Sequence, residues 1–333
     1  MLVAVSMTKV VVVGTGSMGY NHARVCSELG ILAGVMDQDT SSAKRVGELF
    51  DVPYYSDFEH GLEDIEPIGA IIATPTFTHN KLAKVALERG VNILVEKPIS
   101  DNLVSGEEIV NLAIDRGLVC AVGHIERFNP IIKTTKRLIE RGDLGEIITI
   151  SSRRVSNFPG RIRDVGVILD LGIHDIDNSI FLMGSKPISV YCTGGTHNDI
   201  EHEDHVTMTV RFENGKSAVM EVNWITPMKV RKLSLTCDMG HVELDYIDQS
   251  ITMSSSRFVK PEEETQFPAK IEFDKKSLPV EKDEPLKLEI VDFVDSICSD
   301  NQPYVSGLDG LIALRVALAA EESLETGMVV NIG

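Results

Sequence analysis

A chain of 333 residues, 43% apolar and 25% charged, has the composition of an ordinary globular protein and the length of two domains. Its formal net charge of −18 argues against a general nucleic-acid or anionic-membrane surface, although a pocket within it can still be locally basic. No apolar run approaches the ~20 residues that span a bilayer, and five dispersed cysteines without a C-x-x-C pair read as reduced thiols, so a cytoplasmic location is expected.

The opening six residues are too short and lack the basic leader of a signal peptide, and Met7 is an alternative start to Met1. From there to about Gly123, β-branched runs at 10–13, 32–36, 70–73, 93–95 and 118–122 alternate with helical spacing at 18–29, 42–50, 80–89 and 104–116. That rhythm predicts a doubly wound parallel sheet over residues 1–124. The remainder, 125–333, predicts an α/β domain with a largely antiparallel open sheet. Its helices are expected at 129–141 and 167–183, and its strands at 146–155, 189–194, 205–212, 217–224, 232–237 and 240–245. Turn sequences at Glu213-Asn214-Gly215 and Asp238-Met239-Gly240 support hairpins there. Residues 256–287 are rich in charge and proline and predict an irregular connection, before closing helices at 285–298 and 308–325.

Four segments carry chemistry. Gly14-Thr15-Gly16-Ser17-Met18-Gly19 follows a strand and opens a helix, and Asp37 ends the next strand, which is the context a dinucleotide needs. Gly14 and Gly16 allow a tight turn and close approach to a pyrophosphate at the helix N-terminus. Asp37, followed by Gln38 rather than a cation, favours NAD over NADP. Thr74, Pro75 and His79 stand after the 70–73 strand, where they line a cofactor or simply start a helix. Glu96-Lys97-Pro98 ends a buried strand and offers Lys97 to a small molecule at the sheet's carboxyl edge, or to solvent in a turn. Asp170 and His174 share a helix face with Asp177 nearby, which suits a proton acceptor held by a carboxylate but equally a satisfied core pair.

Together, in this order, these segments and Gly123-His124-Ile125-Glu126-Arg127-Phe128-Asn129-Pro130 resemble the Gfo/Idh/MocA family of NAD(P)-dependent oxidoreductases over essentially the whole chain. The resemblance implies a Rossmann domain, an open-sheet domain that makes homo-oligomer contacts (dimer or tetramer), and a catalytic set of Lys97, Asp170 and His174. It implies that His174 accepts a hydroxyl proton, Lys97 stabilises the oxyanion, Asp170 orients the imidazole and Glu96 helps place the nicotinamide ribose. His124 departs from the asparagine that many members carry there.

The run Arg153-Arg154-Val155-Ser156-Asn157-Phe158-Pro159-Gly160-Arg161-Ile162-Arg163 is locally basic and suits a phosphorylated or nucleotide-linked substrate, or else pairs with surface carboxylates. With His124, Arg127, Arg161 and Arg163 as candidate substrate contacts, the sequence is similar to the UDP-N-acetylglucosamine 3-dehydrogenase branch. Oxidation of a free polyol such as inositol, and a sensor that binds NAD and sugar without turnover, stay open. Whether NADH is released or recycled in place is also undecided. The histidine-rich stretch 197–205 contains metal-ligand types but reads as a solvated loop, so no metal is expected.

Overall fold

The computed structural model describes residues 8–160, 165–198, 201–259 and 270–333. The chain forms two compact units, Met1–Phe128 with Glu284–Arg315 and Asn129–Asp283 with Val316–Gly333. The boundary expected after residue 124 thus falls after Phe128, and the first unit also takes a late piece of the chain.

The first unit runs β1 (Val10–Val13), α1 (Ser17–Glu28), β2 (Leu32–Met36), α2 (Thr40–Phe50), β3 (Tyr54–Tyr55), α3 (Phe58–Ile65), β4 (Gly69–Ile72), α4 (His79–Glu88), β5 (Asn92–Glu96), α5 (Leu103–Arg116) and β6 (Cys120–Gly123). Its strands pair in parallel in the order β3-β2-β1-β4-β5-β6. Parallel strands covered on both faces need apolar residues throughout, and β1 and β4 are buried at every position. Side-chain caps start the helices: Asp39 accepts from Ser41 N–H before α2, and Asn102 from Ser105 N–H before α5. The pair β3–α3 has no counterpart in the sequence reading, because two residues of strand give no period to detect.

The second unit contains α6 (Pro130–Glu140), β7 (Ile147–Asn157), a π-helical turn at Ile168–Gly172, α7 (Ile173–Met183), and strands β8 (Pro187–Gly195), β9 (His205–Phe212), β10 (Ser217–Asn223), β11 (Ile225–Cys237), β12 (Gly240–Asp245), β13 (Ser250–Val259) and β14 (Lys270–Leu278). Then follow α8 (Pro285–Ser299), α9 (Gly307–Thr326) and β15 (Val330–Asn331). The nine strands order as β14-β13-β12-β11-β7-β10-β9-β8-β15, with β7 and β10 parallel and the other pairs antiparallel. Alternation sets the core face: Val206, Met208, Val210 and Phe212 of β9 point in beside Ala218, Met220 and Val222 of β10.

Two expectations are corrected here. Part of the connection expected at 256–287 is ordered as the end of β13 and as β14, paired from Ile251 with Leu278 to Val259 with Lys270. Its charged composition belongs to an edge strand, where charge discourages pairing with other chains. The continuous helix expected over 167–183 opens with the π turn before α7 begins. In the first unit α8 supplies Leu286, Ile290 and Phe293 to one buried cluster with Val10, Val35, Ile71 and Leu94, which is why residues 284–315 return there.

Candidate active site

The strand order of the first sheet reverses between β1 and β4, and ligands of such sheets bind at the carboxyl ends of those strands. Gly14 leaves β1 at φ +88°, and a side chain there would bring Cβ to 2.6 Å from the Ala73 carbonyl oxygen just beyond β4. Gly19 is constrained equally, since its Cβ would lie 1.7 Å from the Gly14 carbonyl oxygen. Gly16 differs: a Cβ there meets nothing within 4 Å, and Gly16 and Ser17 are exposed at the start of α1, with Met18 half-buried behind them. No side chain caps that helix, so its first N–H groups face an open cradle of the kind a pyrophosphate fills. Asp37 stands beside it at the end of β2. Its Oδ2 accepts from Thr15 N–H at 2.7 Å and from Thr15 Oγ1 at 2.9 Å, and its Oδ1 accepts from Asp39 N–H at 2.9 Å. These residues fit a bound dinucleotide.

Past β4, Thr74 is half-buried and Pro75 exposed. His79 is buried, with Nδ1 3.0 Å from the Pro98 carbonyl oxygen and Nε2 2.9 Å from that of Thr74. Burial lowers its pKa against the pull of those carbonyls. The ring therefore braces two strand-end loops, and its nitrogens are engaged within the protein.

Glu96, the last residue of β5, is 7% exposed. Its carboxylate turns inward, with Oε1 2.8 Å from His22 Nε2 on α1 and Oε2 accepting from Lys97 N–H at 3.1 Å. Burial pushes the Glu96 carboxyl up, but the hydrogen bond and charge of His22, together with Lys97, outweigh it and hold the group below the usual range. Lys97 itself is half-buried and precedes a cis peptide bond to Pro98.

At the end of β6, His124 is buried and its N–H bonds the Val122 carbonyl at 2.7 Å. Arg127, expected at the substrate, is corrected: it is 3% exposed, and its Nη1 pairs with Asp309 Oδ1 at 3.1 Å. A cation this buried is committed to its partner, and Arg127 helps hold the Asp309 carboxyl down against burial.

In the second unit Asp170 lies half-buried in the π turn, its N–H bonded to the Gly166 carbonyl, and His174, second residue of α7, is 9% exposed. Asp175, Asp177, Asn178 and Ser179 are all buried, so this helix carries an unusual polar load inside the unit. Asp175 accounts for part of it, because Arg154 on β7 donates to its Oδ1 through Nε at 3.0 Å with both side chains 1% exposed. Arg153 pairs outside with Glu221 at 2.9 Å. Two of the four arginines of the basic run are thus spent on carboxylates, while Arg161 and Arg163 lie outside the described residues. In the histidine-rich stretch, Asp204 is buried and accepts from His197 N–H, Asn198 N–H and His205 Nδ1.

Sequence reading missed His22 and Glu289, which join Glu96 in one buried cluster. They lie 74 and 193 positions from Glu96, and nothing local in the chain announces the meeting. No described helix is long and apolar enough to cross a membrane.

A model of an oxidoreductase family with an NAD-binding Rossmann fold, of the Gfo/Idh/MocA group, matches residues 8–124, and the Gfo/Idh/MocA C-terminal domain matches residues 132–243. The UDP-N-acetylglucosamine 3-dehydrogenase of Acidithiobacillus ferrooxidans is 25% identical over 94% of this chain and 96% of its own. Its structure superposes with a TM-score of 0.85 over 96% of this chain and 97% of that one, at 25% identity. The scyllo-inositol 2-dehydrogenase (NAD+) of Bacillus subtilis is 27% identical over 96% of this chain and 95% of its own.

Proposed function

The chain belongs to the Gfo/Idh/MocA family of NAD-binding oxidoreductases, and from that premise we propose that it oxidises the 3-hydroxyl of a UDP-N-acetylhexosamine such as UDP-N-acetylglucosamine to a ketone. The observation that carries the substrate class is the end-to-end likeness, in sequence and in fold, to the Acidithiobacillus ferrooxidans enzyme. Bound NAD supplies the acceptor for the hydride at its nicotinamide ring. Gly14, Gly16, Ser17, Met18 and Gly19 hold its pyrophosphate, Asp37 accepts from the adenosine ribose, and Thr74 and Pro75 line the path toward the nicotinamide. His79 and Glu96 act through the loops they fasten. In the proton chemistry, His174 takes the hydroxyl proton, Asp170 orients the imidazole, and Lys97 stabilises the oxygen as it gains negative charge. His124, Arg161 and Arg163 are the remaining candidates for substrate contact.

The outward side chains Ile148, Tyr191 and Val219 of the nine-stranded sheet support assembly of copies through that face. The likeness to the inositol dehydrogenase favours a second reading, oxidation of a free polyol at the same hydroxyl-handling groups.

The test is turnover of UDP-N-acetylglucosamine with NAD, followed by NADH absorbance and product mass, beside inositol and free sugars, with and without 2-oxoglutarate. Loss of two hydrogens from the nucleotide sugar, abolished in Lys97→Ala, is the expected result. Oxidation of a polyol alone overturns the substrate class, and tight NAD binding without any oxidation returns the sensor reading.

A further inference from the structure

Among the described residues, one group brings three ligand-type side chains together inside the first unit: His22 of α1, Glu96 of β5 and Glu289 of α8, with one donor atom of each within 4.8 Å of the others. They are 0%, 7% and 2% exposed. Neither oxygen of Glu289 has a hydrogen-bond partner, nor does Nδ1 of His22. Two ionised carboxylates this close in an apolar interior are strongly disfavoured, and one of them is expected to stay protonated. The carboxylate that keeps its charge, Glu96, is legible from its contacts. His22 Nε2 and Glu96 Oε1 stand at 2.8 Å, a hydrogen-bond length, and the other Glu96 oxygen accepts from the Lys97 amide. Glu289 faces Glu96 and, on its own helix, Asp292, and burial with those two carboxylates raises its pKa well above the ordinary range. Lys97 beside Glu96, and His79 from α4, also act on Glu96.

We propose that His22, Glu96 and Glu289 form a buried brace beside Lys97: Glu289 remains a neutral acid, His22 holds the Glu96 carboxylate, and that carboxylate fixes the Lys97 backbone. His22 and Glu289 are positioning residues, acting through Glu96. The role in turnover rests on the reading of Lys97 given above, whereas the protonation pattern does not.

The test compares wild type with His22→Ala, Glu289→Ala and Glu289→Gln in three readouts. Without substrate, melting is followed from pH 5 to 9. A neutral Glu289 penalises the folded state progressively above about pH 4.5, where the unfolded chain ionises. Glu289→Gln is therefore expected to melt above wild type by a margin that grows with pH. The rate at which an amine-reactive reagent labels Lys97, read by peptide mass spectrometry, is expected to change more than threefold in His22→Ala and Glu289→Ala and to be restored in Glu289→Gln. Where a substrate turns over, kcat is expected to fall on the order of 10- to 100-fold in the two alanine variants and to be rescued by Glu289→Gln, with KM for NAD changing far less. A Glu289→Gln protein that melts below wild type at every pH, or that labels and turns over like Glu289→Ala, overturns the proposal, because Glu289 then acts as an ionised group. Unchanged labelling in His22→Ala overturns the link to Lys97. Absence of any turnover refutes the proposed function alone, since melting and labelling still decide the brace.

Discussion

The Asp37 carboxylate accepts the Thr15 backbone N–H at 2.7 Å, which ties the end of β2 to the glycine turn that follows β1. The same carboxylate stands where an adenosine ribose would carry its hydroxyls or a 2′-phosphate. Asp37→Ala is expected to raise KM for NAD on the order of 10- to 100-fold, the loss of a charge-assisted hydrogen bond of about 1.5–3 kcal/mol. Its relative use of NADP should increase, and initial rates with the two cofactors measure both.

The first two glycines of the turn should separate folding from binding. Gly14→Ala drives a Cβ into the Ala73 backbone at positive φ, so a large drop in melting temperature is expected. Gly16→Ala places its methyl in open space and should melt within a few degrees of wild type. That methyl occupies the cradle, however, and NAD affinity measured by titration calorimetry should fall at least ~10-fold.

The arginines of one sequence run should behave in three ways. Removing Arg154 takes a buried cation away from the Asp175 carboxylate, and Arg154→Ala should cost about 3–5 kcal/mol of stability in denaturant melts. Arg153→Ala breaks only an exposed pair with Glu221, and about 0–1 kcal/mol is expected. Arg161→Ala and Arg163→Ala should raise KM for a nucleotide sugar, while KM for a free polyol stays put.

Glu321 on α9 has its carboxyl pushed up to about 7, first by burial and then by the Glu203 and Glu325 charges. A carboxyl whose folded value exceeds its unfolded one contributes fully at low pH. That contribution is lost as pH climbs from about 4.5 through about 7. Glu321→Gln should therefore melt increasingly above wild type across that window and hold a constant lead above it, on the order of 1–3 kcal/mol. Paired melts from pH 4.5 to 8.5 check the sign.

His174→Ala should lower kcat by roughly 10²–10⁴, the usual worth of a positioned proton acceptor. NAD affinity, which belongs to the glycine turn, should stay within about twofold. A fall in both would mean that the substitution disturbed folding rather than proton transfer.

The parts of this fold that local pattern controls were readable in the chain. β1, β2, β9 and β12 begin and end where their alternation or β-branched runs do. The glycine turn was readable too, because Gly14 and Gly19 are required by backbone contacts only a few residues away or at the next strand end. What stayed hidden depends on distant partners. The charge of Arg127 suggested a ligand contact until Asp309, far along the chain, took it. The polar edge strand β14 looks like a loop because it is specified by its pairing with β13 rather than by a buried face. The π turn that carries Asp170 leaves no mark on residue spacing, and Glu289 sits on a helix whose sequence reads as ordinary packing.

The return of residues 284–315 to the first unit bears on the order in which a ribosome delivers its parts. The nascent chain finishes Met1–Phe128 and must then emit 155 more residues, from 129 to 283, before α8 emerges. At ~5–20 residues per second that interval is about 8–30 seconds. Throughout it, the apolar surface of Val10, Val35 and Ile71 lacks Leu286, Ile290 and Phe293. The cofactor-holding half is thus the first to be synthesised and among the last to be sealed, which makes it a natural client for chaperones during translation.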